Sequence, residues 1–336
     1  MTRKSLIILI LIISLVTLLN GCSNEGSKTY ENEDIAILEK VTVVLDWVPN
    51  TTHTGLFVAK DKGWYKEQGL DVNIIQPNEV GTAQLVASGK AQFGISYQGE
   101  VTYARANQLP VVSIAAIIQH NTSGFAAPIE KKIASPKDFE GKKYGGWGSP
   151  IERAVIKTVM GNEGADVRKV EYVNVGSRDF FTAMKSDVDF EWINYGWTGI
   201  EAKLKGYPIN FIELTRVAPE LESYSPVIIV NEKYIKEHSK TIKKFMAATA
   251  KGYQYAINRP KEAANILLGH VTGPDKELVL KSQEWISNKY QEDALQWGIQ
   301  QESVWMNYTQ WMVDQGLIPQ MIDISKAFTN QFLPDR

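Results

Sequence analysis

The run VTVVLDW, Val41 to Trp47, is the apolar stretch of a buried strand, and LFVAKDKGWYKEQG after it has helical spacing up to a stop at Gly69. LDVNIIQP then reads as a second strand closed by Pro77, which completes a β-α-β unit. The next cycle is VGTAQLVASGK as helix, AQFGIS as strand, GEVTYARANQ as helix and LPVVSIAAIIQ as a long apolar strand. Strands alternating with helices of this length predict a parallel sheet covered on both faces.

After FAAPIEKKIASPKDFEGK the alternation restarts with KKYGGWG as strand and PIERAVIKTVMGNEG as helix. VEYVNVG, DFEWINYG and YPINFIEL follow as strands, with RDFFTAMKSD and GIEAKLKG as helices between them. This is a second α/β lobe, and SPVIIVNEKYI beyond Ser223 reads as a strand crossing back. From Ser239 onward the pattern is helical, and Trp305, Tyr308, Trp311 and Met312 fall near helical spacing, as a core stripe does. Two α/β lobes with two crossings predict a hinged ligand-binding protein that closes over its ligand.

The N-terminus changes where that protein belongs. Arg3 and Lys4 precede an uncharged, largely apolar run from Leu6 to Leu19, the layout of an export signal and short for a membrane span. The run ends in Leu19-Asn20-Gly21-Cys22, which resembles the bacterial lipobox, where cleavage leaves a lipidated cysteine. SNEGSKTYENED, Ser23 to Asp34, is polar and without apolar periodicity, as a flexible tether is. The expected division is therefore a signal peptide at 1–21, a lipidated tether at 22–35, lobe I at 36–127, lobe II at 128–224, and a return to lobe I with C-terminal helices at 225–336.

With 336 residues, 44% hydrophobic and 22% charged, the chain can build ample core, and a formal net charge of -2 gives no reason to expect a nucleic-acid partner. Cys22 is the single cysteine, so an intramolecular disulfide, a CxxC metal site and a second thiol are excluded. No GxSxG, HExxH, P-loop or GxGxxG motif occurs. His120, His238 and His270 are scattered, and no metal or cofactor is expected.

In open α/β sheets ligands sit beyond the carboxyl ends of strands. The corners there carry Asp46, Trp47, Asn50 and His53; Tyr97, Gln98 and Glu100; Trp147, Ser149 and Glu152; and Glu191, Trp192, Asn194 and Tyr195. Trp47, Tyr97, Trp147 and Tyr195 can sandwich a flat ring, while Asp46, Glu100 and Glu191 accept hydrogen bonds. Acceptors beside aromatics suit an amino-substituted heterocycle better than a sulfonate, nitrate or phosphate, which calls for Arg or Lys. Ser149, Pro150 and Glu152 also make a capping box, which explains them without a ligand.

The stretches LDWVPNTTHTGLFVAKDKGWYKEQGLDV and SGKAQFGISYQGE, with YGGWGSPIE and FEWINYGW, resemble the family that unites fungal thiamine-pyrimidine precursor synthases with bacterial solute-binding proteins for thiamine precursors. The W-x-P-x-x-x-H corner, Trp47 to His53, is the most specific part. The resemblance implies a type II periplasmic-binding-protein fold, a formylaminopyrimidine ligand, an ABC transporter permease with its ATPase as partner, and a monomer held extracytoplasmically at the membrane by its lipid. It also implies an alternative, because the synthase branch makes the pyrimidine from pyridoxal phosphate and one of its own histidines. The histidine and the cofactor lysine of that branch lie in the corner after the third strand, where this chain has Ser96 and Glu100. A serine cannot form the Schiff base and a glutamate cannot donate an imidazole nitrogen. The synthases' cysteine-rich segment is absent as well. Riboflavin, thiamine itself or an aromatic sulfonate remain other cargoes for such a cleft.

Cys22→Ser is expected to release the protein into the soluble extracytoplasmic fraction with ligand affinity intact, since stable anchoring takes acyl chains that the variant lacks. Membrane retention of the variant in a fractionation experiment would point instead to an uncleaved anchor helix.

Overall fold

The computed structural model describes residues 37–335, apart from 78, 79, 177 and 187. The expected export signal, the expected tether and Cys22 lie outside the described residues. No described helix is long and apolar enough to cross a membrane.

The first sheet is built from β1 (Glu39–Val44), β2 (Leu70–Ile75), β3 (Phe93–Ser96) and β4 (Val111–Ala116), and the second contains β5 (Ser123–Pro128), β6 (Lys143–Gly146), β7 (Glu171–Asn174), β8 (Phe190–Asn194) and β9 (Ile209–Glu213). β10 (Val227–Asn231) returns to the first sheet. The spatial orders are β2-β1-β3-β10-β4 and β7-β6-β8-β5-β9, two α/β lobes joined by two crossings. The expected all-parallel sheets are in fact mixed. β10 runs antiparallel to both β3 and β4, and β5 runs antiparallel to both β8 and β9.

The first crossing lies between Ala116 and Ser123, earlier than the boundary expected at residue 128, because SGFAAP pairs with β8 and β9 as a fully buried strand. Small residues gave that segment no apolar strand pattern, yet a strand buried on both faces needs only to be uncharged and close-packed. The second crossing lies between Glu213 and Val227.

The expected single helix up to Gly69 is broken. Helices Thr54–Asp61 and Trp64–Glu67 are separated at Gly63, whose φ of 76° is left-handed. The first packs on the long helix Ser239–Asn258 so closely that a Cβ on Gly252 would lie 2.0 Å from the carbonyl oxygen of Gly55. That contact holds the corner after β1, which ends one residue before the helix.

The apolar stripe of helix Glu302–Asp314 is core, and it serves both lobes. Trp305 packs with Val44, Val101 and Ile229 of the first sheet's surroundings, whereas Tyr308, Trp311 and Met312 pack with Val155, Leu214 and Leu221 of the second. The C-terminal region therefore does more than return to lobe I.

Gly252→Ala is expected to destabilise the protein by about 1–3 kcal/mol, the cost of overpacking where a backbone must move. Urea unfolding of the variant measures this, and an unchanged midpoint would show that the two helices separate freely.

Candidate functional site

The carboxyl ends of β1, β3 and β6 lead into corners whose large side chains are left unburied. Among the described residues four large aromatics are exposed, and three of them, Trp47, Tyr97 and Trp147, stand at these corners. Exposed aromatics clustered this way mark a binding surface rather than a packing defect.

The first corner is rigid. His53 is fully buried, its Nδ1 accepts the Asn50 backbone N–H at 3.1 Å, and its Nε2 lies 2.6 Å from Asp46 Oδ1. With Nδ1 used as an acceptor, the ring proton is on Nε2 and donates to Asp46. Asn50 is consumed within the corner, since its Oδ1 accepts from the backbone and hydroxyl of Thr52, and its Nδ2 donates to the Val48 carbonyl. Asn50 and His53 thus act through Asp46. The corner is also tied to the C-terminal helices, by Thr54 to Gln283 at 2.6 Å and by the Tyr253 hydroxyl to the Thr52 carbonyl at 2.8 Å.

At the β3 corner the Ser96 hydroxyl donates to Glu100 at 2.6 Å. Burial holds the Glu100 carboxyl above its ordinary range, and the charge of Asp46 adds to the effect. Burial pushes the Tyr97 phenol up to about 12, helped by the carboxylates of Glu100, Glu152 and Asp46, so these three acids surround one tyrosine.

Glu152 is buried and does more than cap its helix. It accepts the Tyr144 hydroxyl at 2.8 Å, the Trp147 backbone N–H at 3.0 Å, and both the N–H and hydroxyl of Ser149 at 2.8 and 3.0 Å. One carboxylate straps the loop that presents Trp147.

Glu191 is the opposite case. It is 8% exposed, and its Oε1 has no hydrogen-bond partner. It lies alongside Gly145, where a Cβ would approach that oxygen to 3.0 Å. Burial raises its pKa to about 7, with the charge of Asp179 adding and that of Arg178 opposing. An unpaired buried carboxyl costs folding energy unless something completes it.

A cavity of about 350 Å³ opens between the two sheets, lined by Tyr97, Gln98, Trp147, Ser149, Glu152, Trp192 and Asn194 of the corner residues and also by Tyr308. Its size suits a small molecule, and no lysine or arginine lines it among the described residues. Asp46, Trp47, Asn50, His53, Glu100 and Glu191 do not line it. Tyr195 opens a π-helical turn, Tyr195–Gly199, and lines a different cavity with His120, Phe211 and Trp285. The spacing of Tyr308 places it in the core, and a cleft-lining position on a buried helix shares that spacing. Among the described residues no group of three or more His, Cys, Asp or Glu is placed to hold a metal.

Residues 50–263, more than half of the chain, match the family described as NMT1/THI5 like. The chain belongs to that family. The formylaminopyrimidine-binding protein of Halalkalibacterium halodurans is 29% identical, over 97% of this chain and 99% of that protein. A 4-amino-5-hydroxymethyl-2-methylpyrimidine phosphate synthase of Legionella pneumophila is 23% identical over 89% of this chain and 94% of that enzyme, so the family includes proteins named as binders and as synthases. The fold is that of the periplasmic binding proteins: the aliphatic sulphonate binding protein SsuA of Escherichia coli superposes with a TM-score of 0.65 at 11% identity, covering 86% of this chain and 91% of that one.

The Glu191 environment has a pH signature. Its carboxyl ionises at a higher pH in the folded than in the unfolded chain, so folding takes up a proton between about pH 4.5 and 7, and stability falls as pH rises through that window. The full shift corresponds to roughly 3 kcal/mol. Glu100 and Glu222 shift the same way, so the variant isolates one contribution. Glu191→Gln is expected to lose less stability than the parent between pH 4.5 and 7 in paired thermal melts; parallel profiles would place the Glu191 carboxyl in water.

Proposed function

We propose that the chain is an extracytoplasmic solute-binding lipoprotein, anchored through Cys22, that captures N-formyl-4-amino-5-aminomethyl-2-methylpyrimidine and delivers it to an ABC permease with its ATPase. The observation that carries this reading is a cavity walled by the Tyr97 and Trp147 rings and by no lysine or arginine among the described residues. Trp47, Tyr97 and Trp147 offer faces to a flat ring. Asp46, Glu100 and Glu191 stand outside the cavity's lining and are assigned as the acceptors for its exocyclic amine, and of these three only Glu191 has a buried oxygen left unmatched. The similarity to the Halalkalibacterium halodurans protein supports the same ligand. A sulfonate would leave its charge unmatched against this acidic surround.

The relatives named as synthases raise the enzymatic reading. Against it stands the corner after β3, where the Ser96 hydroxyl and the Glu100 carboxyl satisfy each other and no lysine or histidine occupies either position. A binding role needs only the cleft.

Titration calorimetry with the formylaminopyrimidine tests the proposal. Trp147→Ala is expected to weaken binding by about 1–3 kcal/mol, the scale of removing an aromatic anchor, and binding is expected to quench tryptophan emission. Glu191→Gln is expected to bind ten- to a hundredfold more weakly, roughly the cost of an unmatched buried group, without a lower melting temperature of the empty protein. Unaltered affinity in both variants would overturn the assignment of the cleft, and turnover of pyridoxal phosphate would establish the enzyme instead.

A further inference from the structure

The stripe on helix Glu302–Asp314 contains one side chain that the core does not use up. The Trp305 indole donates to Gln300 and the Trp311 indole to Thr158, at 3.3 and 2.8 Å. Tyr308 is only 5% exposed as a residue, but its hydroxyl is not one of the enclosed unpartnered atoms, and it makes no hydrogen bond with any described residue. A tyrosine hydroxyl set in such a buried residue ordinarily finds a partner. This one opens on the cavity of about 350 Å³ that Tyr97 and Trp147 also line.

The hydroxyl's place is set from both lobes. A Cβ on Gly99 would come within 3.1 Å of Tyr308 Oη and 3.2 Å of Ile151 Cδ1, so the phenol tip lies over the start of the helix that follows Tyr97, beside the helix strapped by Glu152. Glycine at 99 leaves the room the hydroxyl occupies. Burial, with Tyr97 nearby, holds the phenol well above its ordinary range, so it stays protonated and keeps a proton to donate.

Most other donors that line the cavity are spent within the protein. Gln98 donates to the Val304 carbonyl, Asn121 to Ser223, Ser123 to Asn121, Ser149 to Glu152, Ser223 to the Leu221 carbonyl and the Trp192 indole to Ser123, which leaves the Tyr308 hydroxyl among the few donors open to a ligand carbonyl. Lysine and arginine are not among the cavity's lining residues. We propose that Tyr308 is a specificity-determining ligand contact whose hydroxyl donates a hydrogen bond to the formyl oxygen of the bound pyrimidine. This rests on the function proposed above and adds the means by which the formylated compound is told from its relatives without a carbonyl.

Tyr308→Phe removes the hydroxyl and keeps the ring that packs against Trp311. Titration calorimetry with two probes, the formylaminopyrimidine and 4-amino-5-hydroxymethyl-2-methylpyrimidine, decides the matter, together with the melting temperature of the empty variant. The expected result is about a tenfold loss of affinity for the formyl compound alone, the scale of one hydrogen bond, with the melting temperature and any affinity for the hydroxymethyl compound retained. Undiminished formyl binding in the variant overturns the contact while leaving the proposed function standing. Equal weakening of both probes, or a loss accompanied by a lower melting temperature, overturns it in favour of a structural role. If the parent protein binds neither pyrimidine, the proposed function and this contact fall together.

Discussion

Each sheet is completed by a strand that arrives from the other lobe. β10 fills the gap between β3 and β4, and β5 fills the gap between β8 and β9. Both are buried along their whole length. Until the chain has crossed, the strands flanking each gap lack a partner for backbone groups that are costly to bury unpaired. The crossings are therefore part of the cores and not simple linkers. They also bring the carboxyl end of β3 opposite those of β6 and β8, which is why one cavity is lined from separate stretches of sequence.

Around that cavity the acids divide by whether the protein itself completes them. Glu152 accepts four hydrogen bonds and fixes the Trp147 loop, and Asp46 is aimed by a histidine whose other nitrogen is held by the backbone. Glu191 has a buried oxygen with nothing to accept. The first arrangement stabilises the empty protein and the second costs it stability, by an amount comparable to a large share of a domain's net stability. An amine donor is the chemical complement of such a carboxyl, which is the basis of the proposed ligand contact.

Much of this was legible in the order of elements. VTVVLDW, AQFGIS and KKYGGWG announce strands by their apolar runs, and the residues that follow them stand at the corners where exposed aromatics are found. What was hidden shares its local pattern with something commoner. SGFAAP lacks the branched residues of a strand because it is sandwiched on both faces and gains from small side chains. The periodicity that buries Trp305 also buries Tyr308, and only the third dimension shows that the latter's hydroxyl meets a cavity. Tyr195 follows β8 as Trp147 follows β6, yet the π-helical turn folds its ring over Gly199, where a Cβ would meet it at 2.5 Å, and away from the other aromatics. Glu152 reads as a cap in sequence because capping is local, whereas its bond to Tyr144 depends on the strand beside it.

The central claim is that the cleft is complementary to an amino-substituted pyrimidine and to no anion. Native mass spectrometry of the protein purified without its N-terminal signal, before and after addition of formylaminopyrimidine and of an aromatic sulfonate, measures it directly. The account predicts a single stoichiometric adduct with the mass of the formylaminopyrimidine, formed on addition or already present on purification, and none with the sulfonate. A sulfonate adduct, or a spectrum that the pyrimidine leaves unchanged while another co-purified mass is retained, would contradict it.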